Sequence, residues 1–216
     1  MSTDSDLQQD VLAELSWEPS IVAAHIGVTA NAGVVTLTGH VDTFAQKHEA
    51  EAATRRVKGV KAVAQEIDVR LSFEMKRTDD EIAAAAIDRL AWNVSVPHDA
   101  LKVAVERGWI TLTGQVEWYF QKAAAEQDVS RLYGVIGVSN QVTIKPHGRP
   151  ANISDDITHA LHRSWFFDPR MVTVTRDGGQ VRLSGSVHSP HDRQIAAATA
   201  WASPGVTSVV NDVEVG

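Results

Sequence analysis

The sequence predicts an α+β fold of three tandem αββαβ modules, each a three-stranded mixed sheet covered on one face by two helices. Two observations carry this prediction. A stretch of eight residues occurs three times, as Val34-Val35-Thr36-Leu37-Thr38-Gly39-His40-Val41, Trp109-Ile110-Thr111-Leu112-Thr113-Gly114-Gln115-Val116 and Gln180-Val181-Arg182-Leu183-Ser184-Gly185-Ser186-Val187. Around each copy, glycines recur at fixed spacing. Gly33, Gly108 and Gly179 lie six residues before the central glycine, and Gly59, Gly134 and Gly205 lie twenty after it. Self-similarity of this kind marks a repeated supersecondary unit. The modules span residues 5–70, 78–145 and 153–216. At about 65–70 residues each, they are near the lower size limit for an independent core.

Each module opens on a helix-period segment. Leu7, Val11 and Leu15 lie four apart and stack on one helix face, as do Ile82, Ala86 and Leu90, and Ile153, Ile157 and Leu161. The second of these helices starts with a capping box, Thr78-Asp79-Asp80-Glu81. Trp17 and Trp92 share a position expected just past their helices, and Trp165 falls two residues later in its own repeat. A hairpin follows. Its first strands include Ile26–Val28, Leu101–Val105 and Val172–Val174, and its turns end on Gly33, Gly108 and Gly179, where positive φ is needed. Its second strands alternate, with Val35, Leu37, Gly39 and Val41 inward and Thr36 and Thr38 outward. The glycine on the apolar face is expected to seat the following helix closely.

That helix crosses over to a parallel third strand, with Ser189-Pro190 as the clearest start signal. Small residues at Ala50, Ala125 and Ala196 fit close packing on the sheet, and Gly59, Gly134 and Gly205 stop the helix. The outer sheet face carries Thr36, Thr38, Thr111, Thr113, Arg182 and Ser184, polar or half-buried against a neighbour. Linkers are expected at Arg70–Arg77 and Lys145–Asn152.

Composition narrows the function. A net charge of -7 with pI near 5.7 argues against nucleic-acid binding and is unfavourable for adhesion to anionic lipid by bulk charge. With no cysteine there is no disulfide, zinc thiolate or cysteine nucleophile. The first six residues are acidic and polar and no apolar run is long enough to span a membrane, so a cytoplasmic location is the expectation.

These features resemble the BON domain family. The resemblance rests on Gly33-Val34-Val35-Thr36-Leu37-Thr38-Gly39-x-Val41, the helix end Val57-Lys58-Gly59-Val60 and the spacing of the closing strand, all repeated in the second and third modules. It runs from about Leu7 to Val215. The resemblance implies a binding role rather than an enzyme, with no shared catalytic residue and no cofactor. BON proteins are associated with phospholipid binding, envelope integrity and osmotic stress. One cytoplasmic relative pairs a BON domain with a LysM domain and binds potassium; no LysM segment is recognisable here.

Candidate contact residues come from comparing the repeats. Trp118, Tyr119 and Phe120 stand where the first repeat has Thr43-Phe44-Ala45 and the third has Ser189-Pro190-His191, so the module does not demand aromatics there. They are expected to meet a lipid, a partner or another module. Trp165, Phe166 and Phe167 form a second triplet, one ring of which can replace Trp17 or Trp92 in a core. Arg55, Arg56, Lys58 and Lys61 form a basic surface at a helix end, suited to headgroups or simply to the helix dipole. His159 with His162, and His188 with His191, have suggestive spacing but fall short of the ligands that a metal site needs. No nucleophile elbow, triad signature, G-x-G-x-x-G or P-loop is present.

The leading expectation is a non-catalytic adaptor of tandem modules that engages a partner protein or a phospholipid surface, in osmotic or envelope stress. The alternatives are a sensor binding a monovalent cation such as potassium through backbone carbonyls, and a self-assembling homo-oligomer that pairs open sheet edges.

Overall fold

The computed structural model describes residues 4–97, 99–145, 153–163 and 171–215, apart from the side chain of His162. The first module runs α1 (Asp4–Trp17), β1 (Ile26–Asn31), β2 (Val34–Val41), α2 (Phe44–Arg56) and β3 (Ala62–Val69). The second runs α3 (Asp79–Trp92), β4 (Leu101–Glu106), β5 (Trp109–Val116), α4 (Tyr119–Val129), then a third strand in two segments, β6 (Gly137–Asn140) and β7 (Thr143–Ile144). The third runs α5 (Ile153–His162), β8 (Val172–Asp177), β9 (Gln180–Val187), α6 (Pro190–Trp201) and β10 (Ser208–Val215).

In every module the hairpin is antiparallel and the third strand returns parallel to its second strand, which is therefore central. This is the predicted α+β mixed sheet. The helix-period residues form the cores. Leu7, Val11 and Leu15 pack with Val35, Leu37 and Ile67, Ile82 and Ala86 with Ile110 and Leu112, and Ile153, Ile157 and Leu161 with Val181 and Leu183. Ala50, Ala125 and Ala196 are wholly buried where the crossover helices lie on the sheets. Helix starts follow the caps. Thr78 Oγ1 accepts from the Glu81 amide at 3.3 Å while Glu81 Oε2 accepts from the Thr78 amide at 2.8 Å, and Ser189 Oγ accepts from the Asp192 amide at 3.1 Å.

Three expectations are corrected. Gly59, Gly134 and Gly205 do not end the crossover helices, which stop at Arg56, Val129 and Trp201 with Val57, Ser130 and Ala202 as C-caps; the glycines take positive φ in the turn beyond. The central strand glycine does not seat the following helix. A Cβ on Gly39 (φ +110°) would lie 2.1 Å from the carbonyl oxygen of His25, and Gly114 and Gly185 meet those of Ala100 and Met171 in the same way. The close neighbour is thus the chain just before the first strand, which crosses the end of the second. Trp17 and Trp92 are not core residues either, at 85% and 87% exposed, because each sits two residues past the last buried residue of its helix, Leu15 or Leu90, and so off the buried face.

Candidate functional site

The three crossover helices meet end to end, and the contacts use equivalent positions of the repeat. The start of α4 (Trp118, Tyr119, Phe120) faces the end of α6 (Ala198, Trp201, Ala202) across one groove. The start of α2 (Thr43, Ala45, Gln46) faces the end of α4 (Gln127, Ser130, Arg131) across a second. The start of α6 (Pro190, Arg193, Gln194) faces the end of α2 at Arg55, with Val60, Lys61 and Val63 beyond it, across a third. Arg55, Ser130 and Trp201 are equivalent by repeat spacing, as are Phe44, Tyr119 and Pro190. Head-to-tail contacts of this kind form a ring when the rotation closes, and three modules close it within one chain. The seams have volumes of about 400, 770 and 350 Å³ respectively.

The α4–α6 seam is aromatic. Tyr119 stacks on Trp201 with ring centroids 4.5 Å apart and planes 12° apart, and Trp201 packs against the cores of both the second and third modules. Burial, with Glu126 adding to it, raises the Tyr119 hydroxyl above its ordinary value of 10.0. Trp118 is half-buried and Phe120 is 57% exposed. The triplet is therefore divided between holding two modules together and presenting an aromatic face to solvent.

Local chemistry underlines the point. The N-cap positions of α2 and α6 carry Thr43 and Ser189, whose hydroxyls accept amide bonds. Trp118 occupies the equivalent position in extended backbone and makes no side-chain cap bond. Gln121 Oε1 reaches back instead, accepting from the Glu117 and Trp118 amides at 2.9 Å each. A tryptophan where a capping hydroxyl belongs breaks a local rule, as residues at functional sites do.

With this geometry in place, the likeness to known proteins has a structural meaning. The sequence model of the BON domain matches residues 3–70, 78–146 and 151–216, nearly the whole chain. The chain belongs to the BON domain family. It is 31% identical over 150 residues to osmotically-inducible protein Y of Escherichia coli (strain K12), spanning 66% of this chain and 73% of that relative. Among solved structures it is similar to CdsD, a structural protein of the type III secretion system of Chlamydia trachomatis. There the identity is 19%, coverage is 96% of this chain and 91% of that one, and the TM-score is 0.26, a level that carries no argument about shape or role.

The remaining candidates fall elsewhere on the three BON modules. Trp165, Phe166 and Phe167 lie outside the described residues. Arg56 is exposed but held by acids, Glu14 at 3.1 Å, Glu18 at 3.4 Å and Glu49 at 3.6 Å. Partial burial pulls its guanidinium down, but these acids outweigh it and leave it raised. The hydroxyl and amide of Ser20, and then Arg56, hold the Glu18 carboxyl below its usual value. Arg55 pairs with Glu51 one turn back. Arg55 and Lys61 line the α2–α6 seam, whereas Lys58 is exposed outside it. His159, His188 and His191 are exposed, and no group of three or more metal-ligating side chains occurs among the described residues. No helix among them is long and apolar enough to cross a membrane.

Sequence reasoning missed Phe44 and Trp201, both packed against the second module's core. The signal for Trp201 was present: a lone tryptophan stands where the other copies have Arg55 and Ser130.

Proposed function

We propose that the chain is a non-catalytic binding protein in which three BON modules form one scaffold and the aromatic α4–α6 seam receives an apolar group. That group belongs to a partner protein or to a phospholipid surface. The observation that carries this reading is the groove of about 400 Å³ walled by Trp118, Tyr119, Phe120 and Trp201. Four aromatic side chains line it, against one in the α2–α4 seam and none in the α2–α6 seam, and Trp118 sits there at the expense of a helix cap. Concave, mostly apolar surface with convergent aromatics is the ordinary form of a binding site. The name of the Escherichia coli relative supports a working context of osmotic stress.

The test is binding of an apolar fluorescent dye by the full chain and by the Trp118→Ser, Phe120→Ser double variant. Dye emission several-fold lower in a variant of unchanged circular dichroism is the expected outcome, and equal emission overturns the reading. Co-sedimentation with phosphatidylethanolamine vesicles then separates lipid from protein as the source of the apolar group.

A further inference from the structure

The α2–α6 seam occupies the same place in the ring as the aromatic groove, yet its chemistry is opposite. Arg55 and Lys61 of the first module and Arg193 of the third line it, together with Gln194, Asn211 and a floor of valine and alanine; no carboxylate is among its walls. The α2–α4 seam, by contrast, includes Glu49 and Glu126. Three cations around an acid-free groove stand out in a chain of net charge -7.

Two of the three are not demanded by the module. Arg55 is equivalent to Ser130 and Trp201, and Lys61 to Ile136 and Thr207. Arg193 is the most informative. Its counterparts are Lys47 and Lys122, whose ammonium groups donate to the carbonyl oxygens of Ile67 at 2.7 Å and Val142 at 2.8 Å. Those bonds tie each crossover helix to its closing strand. In the third module a guanidinium does this work, with Arg193 Nη2 donating to the Asn211 carbonyl at 2.6 Å. A guanidinium has five donors in a planar fork, so Arg193 ties the helix and still offers donors to the groove. Lys61 is braced from below, because its side-chain carbons lie against the turn at Gly33. Its amide donates to the Gly33 carbonyl at 2.7 Å. Among the described residues neither Lys61 nor Arg193 has a carboxylate partner. Arg55 is paired with Glu51, which is not part of the wall.

We infer that this seam is an anion site for a compact polyanion of the phosphate class, gripped jointly by the first and third modules. Guanidinium forks match phosphate oxygens bidentately, and a lysine adds a point charge. The groove's volume of about 350 Å³ suits a short chain of phosphates. A ligand held by both modules stabilises the closed ring by mass action.

The substitutions that test this are the residues that the repeats already tolerate at these positions. Isothermal titration of the full chain with inorganic tripolyphosphate, at constant ionic strength, is compared for wild type, the Lys61→Thr, Arg193→Lys double variant and Lys58→Ser as a control. The expected result is one-to-one binding, weakened at least tenfold in the double variant and unchanged in the control, with circular dichroism the same throughout. Absence of wild-type binding overturns the inference, as does equal weakening by Lys58→Ser, which would report general charge attraction. Binding to phosphatidylglycerol vesicles without tripolyphosphate binding also overturns it, by assigning the cations to lipid headgroups rather than to a soluble anion.

Discussion

The α4–α6 and α2–α6 seams are built from equivalent stretches of the same repeat and share almost no side-chain chemistry. At the first, Trp201 and Tyr119 stack and the groove is aromatic; at the second, Arg55 stands where Trp201 does and Pro190 where Tyr119 does. The cores beneath them differ little, since buried valine, leucine, isoleucine and alanine recur at matching positions. A repeat can vary freely only where its own fold makes no demand, and here that freedom falls at the seams. Binding chemistry is therefore to be sought between modules.

Changes to what all modules share are expected to do the most damage. Gly114→Ala places a Cβ 2.2 Å from the Ala100 carbonyl at φ +132°, and should cost about 3 kcal/mol in urea unfolding. A loss below about 1 kcal/mol would mean that the strand crossing yields easily.

Next come the two seams themselves. Trp201→Ala removes the ring that packs against two cores and stacks on Tyr119, with an expected loss of about 2 kcal/mol. The equivalent Arg55→Ala breaks only a pair between partly exposed groups on one helix, and should cost under about 1 kcal/mol and respond to salt. Equal losses would show that the two seams bear load alike.

A smaller effect separates α3 from its counterparts. Thr78→Ala removes one half of the capping box and should lower stability by about 1 kcal/mol. The bonds from the Thr78 amide and hydroxyl hold the Glu81 carboxyl below its ordinary value of 4.5. Its contribution is therefore complete above pH 4.5 and disappears as pH falls through the lowered value. The difference between Thr78→Ala and wild type should shrink only in part over that acid range in melts followed by circular dichroism, because the Thr78 hydroxyl bond to the Glu81 carboxylate titrates and its bond from the Glu81 amide does not; complete loss of the difference would contradict the amide cap.

The smallest change is expected at Trp118→Ser, which restores the hydroxyl cap found in α2 and α6. A gain of roughly 0.5–1 kcal/mol from the cap works against lost apolar contact. Net stability should stay within about 0.5 kcal/mol of wild type while dye binding falls. A large loss would mean that Trp118 is structural.

The αββαβ order, the helix stripes and the hairpin registers were legible because each rests on a local rule repeated three times. Apolar residues four apart make a buried face and alternation sets a strand, whereas the glycines expected to stop the crossover helices stand three to five residues beyond the last helical residues Arg56, Val129 and Trp201. The seating of Gly39 was not legible, since the sequence shows that something lies close but not what, and the His25 carbonyl leaves no side-chain signal. The exposure of Trp17 and Trp92 contradicts the default that tryptophan fills a core, because the stripe they extend ends at Leu15 and Leu90. At the candidate site, Trp118, Tyr119 and Phe120 stood out by comparison of repeats, but their division between stacking and exposure depends on where α6 lies. The placing of Arg55 and Arg193 around one groove depends on ring closure, which no local rule encodes.

Ring closure is thus the central claim, and contact between Tyr119 and Trp201 tests the one of its three seams that joins the second and third modules. With centroids 4.5 Å apart, their ring protons should give nuclear Overhauser cross-peaks in the full chain. Cross-peaks are the predicted result. Their absence from a spectrum in which all three modules are folded would contradict the closed ring.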